Sequence, residues 1–330
     1  MPADRLKPSP PRPAAQQQAP RGHAAVHRAV LEALRGADLR RAAERSGMTP
    51  ADLEAAVEVY HRAGQQALAE QSGWWQANVE FTAWEDADQT AAQRLFPSLY
   101  ESGAEWWFIR KYPCWRIRLR ADSTATRAAV GRTLEELTRG GHLRTWTTGI
   151  YEPEVPAFGG PVGMEIAHRL FPADSRSVLE HVSRERGALG RRELSILLCV
   201  TLMRAAGLEW FEQADVWDRV CRERPLPEGV STERLRELAG TVRVLLLADT
   251  VREGSMFGSG GPAEHVSAWA QEFRSAGEDL WTSWRSGNLE RGLRALVCYH
   301  VIFHWNRMGL TSATQSVLAH AAKEAVLETD

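Results

Sequence analysis

The chain has 330 residues, enough for two or three domains and a sizeable core. Its composition is that of an ordinary globular protein, and a net charge of −2 leaves no global field to draw nucleic acid or a membrane surface. No apolar run approaches membrane-spanning length, Met1–Arg21 lacks the apolar stretch of a signal peptide, and Cys114, Cys199, Cys221 and Cys298 form no CxxC pair, which predicts free thiols in a reducing cytoplasm.

Residues 1–22, rich in Pro, Gln and Ala, predict a disordered leader. Residues 23–72 predict a small helical module. In it Thr49-Pro50-Ala51-Asp52 makes a good helix start, with Thr49 as N-cap and Pro50 at the first helical position. The order Leu39, Ala42-Ala43, Gly47-Met48-Thr49, Leu53 resembles a helix-turn-helix. Its second helix carries Asp52, Glu54 and Glu58, which repel phosphate, so docking of peptide or protein is favoured over DNA.

Residues 73–152 alternate between strand and helix signals. Strands are expected over 78–83, 105–109, 115–120 and 142–151, with helices over 86–101 and 123–139. The order β-α-β-β-α-β is that of a ferredoxin-like split βαβ fold: an antiparallel sheet with two helices on one face, in an α+β protein. From Gly159-Gly160-Pro161, a strong breaker, the pattern is helical to the end, and residues 153–330 are expected to complete the site. Helices are expected over 164–171, 175–185, 191–206, 209–224, 232–251, 264–286, 289–308 and 313–327. Asp174-Ser175 follows a Phe-Pro turn and reads as an N-cap.

The densest chemical signal lies in the hairpin of residues 105–120. In its second strand Trp115, Ile117 and Leu119 point one way and Arg116, Arg118 and Arg120 the other. Three guanidiniums on one strand face suggest either a bound anion or a solvated face with acidic cross-strand partners. On the helix 289–308, His300 and His304 share an apolar stripe. Three readings stay open there: core histidines, a metal pair, or a general acid/base. Val301 stands where a metalloprotease pattern needs Glu, and no third ligand is evident, so no metal is expected. Nor is there a GxSxG, a phosphate-cradling loop or a nucleotide fingerprint, so no cofactor is expected. Tyr151-Glu152-Pro153-Glu154 marks a strand-to-loop junction of the kind that often positions site residues.

Taken in order, Trp107-Phe108-Ile109-Arg110, Arg118-Leu119-Arg120, Tyr151-Glu152-Pro153-Glu154 with Gly159-Gly160, Leu170-Phe171 with Asp174-Ser175, and His304-Trp305-Asn306-Arg307 resemble the thiopeptide-type bacteriocin biosynthesis domain. That domain is also the C-terminal elimination domain of lantibiotic dehydratases. The match departs from the family's common form at Ile302, where a second His is usual, and at Arg116, where many members have His. The resemblance implies an enzyme acting on a ribosomally made precursor peptide (leader plus core). It would remove glutamate from glutamylated Ser or Thr to leave dehydroalanine or dehydrobutyrine. The same fold also serves a formal [4+2] cycloaddition that builds a pyridine and expels the leader, and a non-catalytic peptide- or subunit-binding role is a third option. The implied partner is a glutamyl-tRNA-dependent dehydratase subunit, with a homodimer left open. The catalytic set expected is His304 as proton carrier, Arg110 and Tyr151. Arg116, Arg118, Arg120, Glu154, Asn306 and Arg307 are expected to bind substrate, all converging on one pocket between sheet and helix.

Overall fold

The computed structural model describes residues 23–120, 123–183 and 189–327; the expected leader, 1–22, lies outside them. The chain divides into two compact units, Met1–Leu68 and Ala69–Asp330. In the first, α1 (His23–Leu34), α2 (Leu39–Ser46) and the start of α3 (Pro50–Ser72) close on a small core of Ala29, Val30, Ala42, Ala43 and Leu53. The Thr49 hydroxyl accepts from the Asp52 amide at 3.1 Å, as the capping pattern predicts.

The second unit begins with β1 (Trp74–Phe81), then α4 (Ala87–Thr90), a π turn (Ala91–Leu95) and α5 (Phe96–Glu101). The hairpin β2 (Glu105–Lys111) and β3 (Cys114–Arg120) follows, then α6 (Thr124–Arg139) and β4 (Leu143–Gly149). The sheet is antiparallel in the order β2-β3-β1-β4, the ferredoxin-like arrangement. Its register pairs Trp107 with Arg118, Ile109 with Arg116 and Glu105 with Arg120, so the three arginines share one face. The opposite face, with Phe108, Trp115 and Ile117, joins Leu95, Phe96, Leu99, Val130 and Leu134 of the covering helices in the main core.

Then come α7 (Pro161–Ser183), α8 (Arg191–Ala205), α9 (Trp210–Glu223), α10 (Thr232–Leu247), a short 3-10 turn (Glu264–Val266), α11 (Ser267–Arg285), α12 (Leu293–Arg307) and α13 (Ser312–Leu327). Leu194–Met203 of α8 are all buried, as expected of a helix that is apolar all round. Against expectation, the two helices placed over 164–171 and 175–185 are one. α7 runs through Pro172, and Asp174 is no N-cap but lies inside the helix, fully buried. Its partners, described below, outweigh the local signal. No strand follows β4 among the described residues, and none of their helices is long and apolar enough to cross a membrane.

Candidate active site

The arginine face of the sheet is roofed by the loop after β4 and by α7 and α12. Gly159 and Gly160 turn that loop into α7 with φ of 82° and 93°, a backbone that favours glycine. The Gly159 carbonyl also accepts from the Glu290 amide at 2.9 Å, tying the loop to the approach of α12. Trp74, Trp107, Ile109, Tyr151, Phe158, Met164, Phe171 and Phe303 form a second, aromatic core beneath this roof.

Arg118 lies at the edge of that core, 3% exposed. Its guanidinium stacks 4.2 Å from the rings of both Trp107 and Tyr151, and its Nε donates to Gln76 Oε1 at 2.8 Å. Nη1 is buried without a partner. Burial lowers its pKa to about 10, with Tyr151 and Glu154 opposing the shift, so it stays charged at neutral pH. The acidic cross-strand partners of a solvated face are nearly absent: among the described residues, of these three arginines only the exposed Arg120 pairs with one, Glu105 at 3.4 Å.

Two cavities lie along this strand. The larger, about 610 Å³, is lined by Arg116, Arg118, Glu154 and Asn306 of the expected set, with Lys111, Glu223, Arg224 and Tyr299 among its other walls. Arg110 also borders it, but its side chain does not join the other arginines. It is paired across the strands with Trp115, on the opposite sheet face, and is bound to Asp88 in a pair shared with Arg191. The smaller cavity, about 550 Å³, holds Arg120 with Trp74, Glu105, Met164 and His168. Arg116 and Arg120 thus sit at opposite ends of the strand, about 13 Å apart along the backbone, with Arg118 between them.

Tyr151 is buried behind Arg118 and is tied to the smaller cavity: its hydroxyl lies 2.7 Å from His168 Nε2. Burial raises the Tyr151 pKa, and burial together with Arg118 and Arg120 lowers His168 to about 4. At neutral pH His168 is therefore uncharged, and its Nε2 can accept a hydrogen bond from the Tyr151 hydroxyl. No sequence signal marked His168, which stands among other polar residues of α7, between Glu165 and Arg169, with no motif around it.

His304 and Arg307 do not reach either cavity. Both are fully buried, and both close on Asp174. His304 Nδ1 is 3.0 Å from each Asp174 oxygen, Arg307 Nε donates to Oδ2 at 2.5 Å and Trp269 Nε1 donates to Oδ1 at 3.0 Å. Burial alone would raise the Asp174 pKa; His304 and Arg307 outweigh it and hold the carboxyl below its usual range. The His-Asp-Arg cluster is part of the core, so His304 and Arg307, expected to carry the proton and to hold substrate, lie away from both cavities in this structure. His300, one turn before His304, is buried against Phe158 with neither ring nitrogen partnered. Among the described residues no cluster of His, Cys, Asp and Glu is suited to a metal ion.

The family model for the lantibiotic biosynthesis dehydratase C-terminal domain matches residues 74–326. The chain belongs to this family. Solved structures that share its fold include the following. The tRNA-dependent lantibiotic dehydratase MibB from Microbispora sp. 107891 is 20% identical, with a TM-score of 0.53 over 76% of this chain and 27% of that one. The pyridine synthase TbtD from thiomuracin biosynthesis is 17% identical, with a TM-score of 0.55 over 77% and 97%. TsrL is 16% identical, with a TM-score of 0.56 over 76% and 93%. The chain thus spans about a quarter of the length of MibB and nearly all of the other two. No curated protein sequence matches it significantly.

Proposed function

We propose that the protein eliminates glutamate from glutamylated Ser or Thr of a ribosomally made precursor peptide, working beside a separate glutamyl-transferring subunit in the cytoplasm. The observation that carries this reading is Arg118: a buried guanidinium, stacked on two aromatic rings and with Nη1 unpartnered, in the wall of a 610 Å³ cavity. Elimination breaks the Cα–H and Cβ–O bonds and leaves a carboxylate where an ester stood. A fixed cation in a desolvated wall favours that developing charge more than the neutral ester. Arg116 adds a second cation on the same strand face. The glutamyl group of the modified residue occupies the larger cavity towards Arg116, and its peptide chain runs towards Arg120. The Tyr151–His168 pair takes over the proton role expected of His304, as the accessible uncharged base nearest Arg118.

The second reading, [4+2] closure of a pyridine, is favoured by one observation: no histidine lines the larger cavity. Cycloaddition asks for an amide-to-iminol shift, then loss of water and of the leader as its amide, which a tyrosine and an arginine can assist. Mass spectrometry decides between them. Incubation of a glutamylated peptide with the protein is expected to give the dehydrated product and free glutamate. An untouched glutamylated peptide, with ring closure in a bis-dehydroalanine peptide, would replace the first reading by the second.

A further inference from the structure

The larger cavity has a second charged wall, which the chemistry at Arg118 does not use. α9 ends at Glu223, and Arg224 is its C-cap. Both residues line the cavity. Arg224 is held from behind: its Nε donates to Gln315 Oε1 at 3.0 Å and its Nη1 to the Glu223 carbonyl at 2.9 Å. Gln315 is 1% exposed, and its amide nitrogen donates at 2.8 Å to both Asn306 Oδ1 and the Leu310 carbonyl. Every polar atom of this buried amide side chain is engaged, and the oxygen is spent on fixing one guanidinium. Glu223 is anchored separately, its Oε1 accepting from the Tyr299 hydroxyl at 3.3 Å. A helix end needs only its carbonyls capped. Here a carboxylate and a guanidinium stand side by side, each with its own support, on a cavity whose other wall is cationic.

The geometry points to a reader for the free end of an aminoacyl group, with Arg224 taking its carboxylate and Glu223 its ammonium. This rests on the elimination reading, in which an esterified glutamate presents one free carboxylate and one free ammonium. These charges are the same before and during elimination, so the wall binds ground state and transition state alike. Arg118 meets charge that develops only in the reaction. Losses at Arg224 therefore fall on KM, and losses at Arg118 on kcat. Gln315 is a positioning residue, acting through Arg224.

Calorimetry on the full-length protein with L-glutamate and with glutarate, which lacks the amine, tests the reader directly. L-glutamate is expected to bind more tightly. Glu223→Gln should erase that preference, and Arg224→Gln should weaken both ligands roughly 10- to 100-fold. Gln315→Leu should give a smaller loss of the same kind. On glutamylated peptide Arg224→Gln should raise KM far more than it lowers kcat, with Arg224→Lys restoring part of the loss. If the wild-type protein eliminates glutamate but binds L-glutamate no better than glutarate, the reader is overturned and elimination stands. Unchanged KM and affinity in Glu223→Gln and Arg224→Gln would overturn it equally. If L-glutamate is preferred and the preference is lost in Glu223→Gln while no elimination occurs, the site stands and the reaction assigned to it falls. Absence of both binding and elimination removes both.

Discussion

Asp174 shows how far a local reading of sequence reaches. In the chain it follows Phe-Pro and precedes Ser, the look of an N-cap. In the fold it is the single carboxylate for a buried His304 and a buried Arg307, residues 130 and 133 positions away. Neither spacing nor residue type discloses such a partner, so the apolar stripe left His304 open to both the core and acid/base catalysis, and the resemblance alone pointed to the proton role. Removing the carboxylate leaves Arg307 charged and unpaired in the interior. Asp174→Asn is expected to cost roughly 3–5 kcal/mol, seen as a lower urea midpoint, whereas His304→Phe keeps the Asp174–Arg307 pair and should cost less. Arg118→Lys should leave the midpoint nearly unchanged and lower kcat by about 100-fold, because the point charge is kept but the planar fork is lost. His300 adds a pH signature. Burial, then Arg307, pushes its pKa down to about 3, against 6.5 for the free group. Above pH 6.5 it is neutral in both folded and unfolded chains and adds no pH dependence. Below 6.5 the unfolded chain gains a proton that the folded chain refuses, so stability falls as the pH drops towards 3. His300→Phe should flatten that slope between pH 6 and 4 in urea titrations; an unchanged slope would place the acid sensitivity in other groups.

At the level of elements, the strand pattern carried most of the information. The alternation of Trp115, Ile117 and Leu119 with three arginines fixed a face, and the element order fixed the sheet topology, because period-2 patterning leaves little freedom once one side is buried. The observed register then does what alternation alone could not: it puts Arg110 on the other face, against Trp115 and Asp88. α7 was less legible, since a proline inside a helical pattern is an ordinary stop signal. Here burial of both halves of the helix, with Asp174 and the Ser175 hydroxyl that accepts from the Phe108 amide at 3.1 Å, holds the helix through Pro172. His168 was invisible because its partner, Tyr151, lies beyond a loop whose path depends on two adjacent glycines with positive φ. β4 supplies a test of how the sheet aims Arg118. A Cβ added at Gly149 would meet the side-chain amides of Asn78 and Gln76 at 2.7 and 2.8 Å, and Gln76 is the residue that orients Arg118. Gly149→Ala is expected to cut elimination several-fold with a stability loss of about 1 kcal/mol or less. The double variant Gly149→Ala with Gln76→Ala frees the space and removes the same support. It should therefore lose little more than Gln76→Ala alone, the non-additivity expected of residues acting through one contact.

At the scale of the whole molecule, the family match begins at residue 74, where β1 begins, and the first unit lies outside it. That unit has its own core, and Asp52, Glu54 and Glu58 are exposed along α3. Negative charge on that surface opposes phosphate and suits a basic or neutral peptide, while the exposed Val59 and Tyr60 offer apolar contact beside it. Both cavities of the arginine face are built wholly from the second unit, so the chemistry assigned to them does not need the first. A protein starting at Gly73 is therefore expected to fold cooperatively and to act on a short glutamylated core peptide with kcat within a few-fold of the full chain. On a full-length precursor carrying its leader, the same truncation should raise KM about tenfold or more, the loss of one docking contact. Equal KM on both substrates would remove the docking role of residues 23–72. Tight, salt-sensitive binding of duplex DNA by the full-length protein, lost in the truncated one, would assign those helices the role that their acidic surface argues against.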